Sequence, residues 1–245
     1  DGRTDDSAAI ARAITACAEA GGGRIMLSRG VTLTGPIRLR SRMALHVPKG
    51  ARLKFISEPA RYLPPVHTRW EGVELMGYQP LIYAFEEEDV ALTGGGVIDG
   101  SADDRTWWPW KGPGADRYRD TPEQERQAAD RARLFAMAER GVPVAERIFG
   151  EGSRLRPSFF QPYRCRRVLM EGITVEAAPF WQVHPVDCSD VTFRRVTCSS
   201  HGPNNDGIDP ESCNGVLIEQ CIFDTGDDCI AIKAARNADG RRLGK

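Results

Sequence analysis

Short alternating apolar and polar runs recur along the chain: Arg24-Ile25-Met26-Leu27, Val31-Thr32-Leu33, Ile37-Arg38-Leu39 and Met43-Ala44-Leu45-His46-Val47, then Leu81 to Phe85 and Val90 to Thr93. Each is bounded by glycine or polar turns and is too short for a helix, so the pattern predicts β-strands. A longer period orders them. Cys165-x-x-Val168-x-Met170-x-x-Ile173 recurs as Cys188-x-x-Val191-x-Phe193-x-x-Val196 and as Cys213-x-x-Val216-x-Ile218-x-x-Cys221, displaced by 23 and then 25 residues. Repeats of twenty-odd residues, each holding short strands, predict a solenoid whose like residues stack coil on coil. The expected fold class is all-β, a right-handed parallel β-helix with an inward ladder of small, reduced cysteines.

Two stretches depart from the period. From Ser7 to Ala20, Ile10, Ile14 and Cys17 fall at i, i+4 and i+7, and Gly21-Gly22-Gly23 follows. This predicts an amphipathic capping helix over 7–20 that covers the first coil, whose edge backbone and core would otherwise be open. From 101 to 152 the period breaks: Trp107-Trp108-Pro109-Trp110 precedes a charged, helix-like segment from Glu123 to Arg140. It is expected as a partly helical insertion on one face, with tryptophans that either stack on sugar rings or anchor the insertion. The whole of 1–245 is expected as one domain.

Composition changes this picture little. The 245 residues are 41% hydrophobic and 27% charged with a formal net charge of −1, an ordinary globular balance that gives no support for a nucleic-acid or anionic-membrane partner. No run of about 18 apolar residues predicts a membrane span. The start, Asp1-Gly2-Arg3-Thr4, lacks a basic-then-apolar leader and looks processed or trimmed. The seven cysteines, Cys17, Cys165, Cys188, Cys198, Cys213, Cys221 and Cys229, form no Cys-x-x-Cys pair of zinc or redox type.

Candidate chemistry concentrates late in the chain. Asn204-Asn205-Asp206-Gly207-Ile208-Asp209-Pro210 and Asp224-Thr225-Gly226-Asp227-Asp228-Cys229-Ile230-Ala231-Ile232-Lys233 place five aspartates where strands begin. Carboxylates there repel one another and lose solvation unless hydrogen bonds, a cation or a substrate compensates. The coil phase aligns Val183-x-Pro185 with Ile208-x-Pro210, so Trp181 and His184 are expected one coil before Asp206 and Asp209. Asp209 and Asp224 are expected as turn-formers.

Asn204-Asn205-Asp206-Gly207 resembles the Asn-Thr-Asp motif of the polygalacturonase family, glycoside hydrolase family 28, and Gly226-Asp227-Asp228 resembles its Asp-Asp motif; the 21 residues from Asp206 to Asp227 are about one coil. The opening Asp-Gly-x-Thr-Asp-Asp run and the stretch from Ser200 to Asp206 extend the likeness, which is greatest to bacterial members. The resemblance implies inverting hydrolysis of α-1,4-linked galacturonic acid in pectin or polygalacturonate, possible action from chain ends, and export to the periplasm or outside. It implies Asp227 as general acid, with Asp206 and Asp228 holding and activating the water. Asn204, His184, His201, Lys233 and Arg236 are the candidate contacts to a carboxylate-bearing sugar. No metal or cofactor is expected. The family's Gly-His-Gly and Arg-Ile-Lys motifs do not occur before Lys245, so the sequence is expected to be the N-terminal portion of a longer enzyme. Rhamnogalacturonan hydrolysis, a calcium-dependent pectate lyase and a non-catalytic polysaccharide-binding β-helix are the competing readings.

Overall fold

The alternating runs stack into three parallel ladders, and the chain is a parallel β-helix. The computed structural model describes residues 1–113 and 116–244. The first sheet stacks Gly23–Met26, Met43–Val47, Glu88–Gly94, Arg166–Glu171, Ser189–Arg194 and Asn214–Glu219. The second stacks Gly30–Thr34, Ala51–Phe55, Val97–Asp99, Thr174–Glu176, Thr197–Ser200 and Ile222–Thr225. The third begins with Ile37–Arg38, Ile82–Phe85 and Phe160–Tyr163, and single parallel bridges carry it on through Val183, Ile208 and Ile230.

The repeat seen in the sequence is one inward position taken by successive coils. Val168 lies opposite Val191, which lies opposite Val216; Met170, Phe193 and Ile218 are matched in the same way. The cysteine ladder has a hydrogen-bonding role as well as a packing one: the amide of Cys165 donates to Cys188 Sγ at 3.4 Å, and that of Cys188 to Cys213 Sγ at 3.4 Å. All seven cysteines are free thiols. Burial is complete only for Cys165, Cys188 and Cys198; Cys229 is exposed and the other three are half-buried.

Helix α1 spans Ser7–Glu19 and turns Ile10 and Ile14 into the coil core. Two excursions leave the ladders on the side that carries the late aspartates. The first, not foreseen from the sequence, is an antiparallel hairpin of Val66–Trp70 with Val73–Gly77. Its two turn residues, Glu71 and Gly72, have φ of 42° and 83°, the paired positive values that match the twist of a two-residue hairpin. The second contains helix α2, Gln127–Glu139, and a short strand, Ile148–Phe149, that pairs with Met76 and Gly77 of the hairpin.

Hairpin, insertion and scaffold share a second apolar core in which Trp70, Leu75, Leu134, Phe149 and Phe180 are buried. Helix α3, Asn237–Leu243, is tied to it through Asp239, which accepts from Arg147 Nη1 at 2.6 Å and from the amide of Glu74 at 2.9 Å. The insertion tryptophans act as anchors. Trp107 is buried edge-on to Tyr62, with ring centroids 5.4 Å apart, and Trp108 Nε1 donates to the Ala178 carbonyl at 2.9 Å. Trp110 lies under the Arg154 guanidinium at 5.0 Å. No helix among the described residues is long and apolar enough to cross a membrane.

Candidate active site

Asp206, Asp227 and Asp228 come together on two adjacent rungs. The Ile208–Ile230 bridge sets the register, and the amide of Gly207 donates to the Asp228 carbonyl at 2.9 Å. One carboxylate oxygen from each of the three lies within 4.8 Å of the others. Asp206 is only 4% exposed, whereas Asp227 and Asp228 face solvent. The glycines of both motifs are required by close backbone approach: a Cβ on Gly207 would stand 2.4 Å from the Cys229 carbonyl, and one on Gly226 2.5 Å from the Gly202 carbonyl.

The loop before Asp206 is held by Asn205. Fully buried, it accepts from Ser200 Oγ at 2.6 Å and the Gly202 amide at 2.9 Å, and it donates to the carbonyls of Ala178 and Phe180. All its hydrogen-bonding capacity is used to tie one rung to the one before. Asn204, half-buried beside it, reaches Asp227 Oδ2 through Nδ2 at 3.5 Å, a weak contact that leaves the carboxyl free to move.

A buried arginine sets that asparagine. Arg156 donates to Asn204 Oδ1 at 2.8 Å, to the carbonyls of Pro203 and Pro179 at 2.7 and 3.0 Å, and to Gln127 Oε1 at 3.2 Å. Burial pulls its guanidinium down to about 9. Next to it, Lys111 of the insertion senses the charges of Arg156, Glu71, Arg131 and Asp227; burial first, and Arg156 second, lower its pKa. Arg131 on α2 bonds Glu71 at the hairpin tip at 2.7 Å. Thus both excursions bring charged side chains to the same side of the scaffold as the aspartates.

Beneath the trio, Lys233 Nζ lies 3.1 Å from Asp206 Oδ2, 3.5 Å from Asp209 Oδ2 and 4.2 Å from the centroid of the Trp181 ring. Burial raises Asp206, against the pull of Lys233. Burial and then the neighbouring Asp206 push Asp209 up to about 9. Lys233 is itself raised: burial works against its charge, and the two carboxyls outweigh burial.

Several sequence expectations are corrected by these positions. His184 is fully buried and both ring nitrogens are occupied, Nε2 by Glu211 at 2.8 Å and Nδ1 by Gln161 at 2.8 Å, so it offers no face to a sugar; burial also lowers its pKa. Lys233, expected at the substrate, is taken up by Asp206 and Asp209. Asp209 is no turn-former but a fully buried carboxyl under Asp206. Asp224 is exposed and pairs with His201 Nε2 at 2.8 Å, leaving His201 at the surface beside the Gly226 turn. Arg236 stacks on Phe135 of α2 at 4.8 Å and its amide donates to Gly72, so it braces the wall.

Lys111, Arg131 and Arg156 were missed because they lie 50 to 100 residues upstream in segments without the solenoid period. The one usable signal was the basic content of the insertion.

Comparison with known proteins bears on the same residues. The sequence model of glycosyl hydrolases family 28 matches residues 147–239, which carry all three aspartates. A crystal structure of a hyperthermoactive exopolygalacturonase from Thermotoga maritima is similar at 54% identity and a TM-score of 0.96, over 100% of this chain and 54% of that one. Residues 147–239 thus carry the sequence pattern of glycosyl hydrolases family 28. A probable polygalacturonase of Vitis vinifera is 24% identical over 100% of this chain. An exo-poly-alpha-D-galacturonosidase of Dickeya chrysanthemi is 23% identical over 99% of it. This chain spans 44% and 41% of the lengths of those two proteins.

Proposed function

We propose that this protein hydrolyses the α-1,4 bonds between galacturonic acid units of polygalacturonate, outside the cytoplasm and from chain ends. The observation that carries the reading is the trio itself: three carboxyl oxygens within 4.8 Å on neighbouring rungs, in a chain 54% identical to an exopolygalacturonase. Hydrolysis needs one carboxylic acid to protonate the leaving oxygen and a carboxylate to activate water or attack carbon. Asp227, exposed and touched by Asn204, is the acid in this reading; Asp206 and Asp228, stacked one rung apart, hold the water. The substrate carries one carboxylate per sugar. Lys111 supports that class because it is a half-buried ammonium near Asp227 that makes no hydrogen bond or ion pair among the described residues.

Inversion is the first reading, because three carboxyls allow two to hold the water. A retaining course, in which one of the neighbouring carboxylates attacks carbon, is the alternative outcome. Proton NMR of an oligogalacturonide digest decides between them. The first reducing sugar to appear is the β-anomer for inversion and the α-anomer for retention; appearance of an unsaturated product instead sinks the hydrolase reading in favour of a lyase.

A further inference from the structure

Asp206 and Asp209 leave the same short segment on one rung, and a single cation lies between them. The Lys233 ammonium makes its hydrogen bond to Asp206, at 3.1 Å, and only an ion contact to Asp209, at 3.5 Å. Asp209 is fully buried, and as a carboxylate neither of its oxygens has a hydrogen-bond donor. A charged carboxyl without donors in such a place costs several kcal/mol, on the order of the penalty for any unpaired buried ion. The two aspartates also stand within hydrogen-bonding reach of each other, a contact that needs a proton on one of them.

We infer that Asp209 and Lys233 form a positioning pair for the candidate reaction: Asp209 keeps its proton and donates it to Asp206, while Lys233 holds Asp206 as the ionised, water-facing carboxylate. One positive charge then serves one negative charge, and the pair presents Asp206 to the trio in a fixed charge state. Neither Asp209 nor Lys233 touches the reacting atoms. The Trp181 ring, 4.2 Å from the ammonium, packs against Lys233 as a cation–π partner.

The other charged and titratable groups around the pair are consistent with this assignment. Asp227 faces Asp206 from the next rung, and Arg156 faces it from the insertion. Cys198 of the second sheet faces Asp209. His184, one rung before, faces Lys233 but is held near neutrality by burial. The direction of the pKa shifts, Asp209 up to about 9 and Lys233 raised, agrees.

The kinetic part of this inference rests on the hydrolase reading; the protonation state does not, and the two are tested separately. In the infrared spectrum of protein labelled with carboxyl-13C aspartate at neutral pH, a protonated-carboxyl stretch that is lost in Asp209→Asn and kept in Asp227→Asn is expected. Absence of that band from the unsubstituted protein overturns the inference whether or not any sugar is cleaved, and needs no variant to fold.

The pH dependence of kcat/KM on polygalacturonate is the second arm. Lys233→Met should move the acidic limb up by roughly one unit, because Asp206 loses the cation that keeps it ionised. Asp209→Asn keeps an uncharged donor under Asp206, so the rate falls about two- to tenfold with the limb in place. A downward move of the limb in Asp209→Asn, as removal of a negative neighbour would cause, overturns the pair. Equal rate losses in both variants with no limb moving would show a merely structural role and overturn it too.

Discussion

Asn205 Nδ2 donates to the Ala178 carbonyl at 3.1 Å, binding the loop of the candidate acid-base residues to the preceding coil. With its three other hydrogen bonds, the residue is fully paired in a site closed to water. Removing it strands two carbonyls, an amide and a hydroxyl. Asn205→Ala is therefore expected to destabilise the fold by about 2–4 kcal/mol. Asn205→Thr, with one hydroxyl in place of an amide, is expected to recover only part of that loss. Chemical denaturation of the three proteins checks both, and equal midpoints would refute the clamp.

Arg156 joins the insertion to the loop through four acceptors. Its replacement by methionine keeps the stem but leaves buried carbonyls unpaired, so a loss of about 2–4 kcal/mol is expected. Lysine has one ammonium for a planar fork's several directions and is expected to restore little. Thermal unfolding of Arg156→Met and Arg156→Lys would measure this; full stability in the lysine variant would show that charge alone suffices.

Asp209 sets a pH dependence of stability whose sign is fixed. Its folded value, about 9, stands above the ordinary carboxyl value of about 3.9 that it regains on unfolding. Its neutral form is thus stabilising below about pH 4, and that contribution is lost progressively as pH rises toward 9. Asp209→Asn removes the dependence. The variant should match the parent near pH 4 and gain on it by about 2 kcal/mol near pH 8, a fraction of the full linkage because Lys233 and Asp206 respond together. Urea midpoints across that range test it, and a gap that narrows with rising pH would contradict the assignment.

Lys111 is the cation expected to meet a substrate carboxylate. Lys111→Met should raise KM for polygalacturonate about three- to tenfold with little change in kcat, an effect that shrinks as salt is added. A fall in kcat at constant KM would place the residue in the chemistry instead.

The coil architecture was legible because its cause is local: the cysteine template and its 23- and 25-residue displacements are what stacking of like positions requires. The pairing of Asp206 with Asp228 across rungs follows from that period. What the sequence concealed depends on segments that leave the ladders. The hairpin has its own local signature, the two-residue Glu71-Gly72 turn between alternating runs. Arg156, Lys111 and Arg131 reach the site only because the second apolar core folds the insertion back over Trp181, and no periodicity encodes that. His184 and Lys233 lie in the right phase, but phase alone does not fix their partners: His184 turns inward to Glu211 and Gln161, and Lys233 to Asp206 and Asp209.

The most direct test of the central claim is release of reducing ends from polygalacturonate in the presence of EDTA, comparing this protein with Asp227→Asn. The same three aspartates have a geometry that could hold a cation, so the chelator is essential. The account predicts release by the parent that EDTA does not diminish, and a loss of at least about a hundredfold in the variant. Release that EDTA abolishes, or that Asp227→Asn leaves intact, would contradict it.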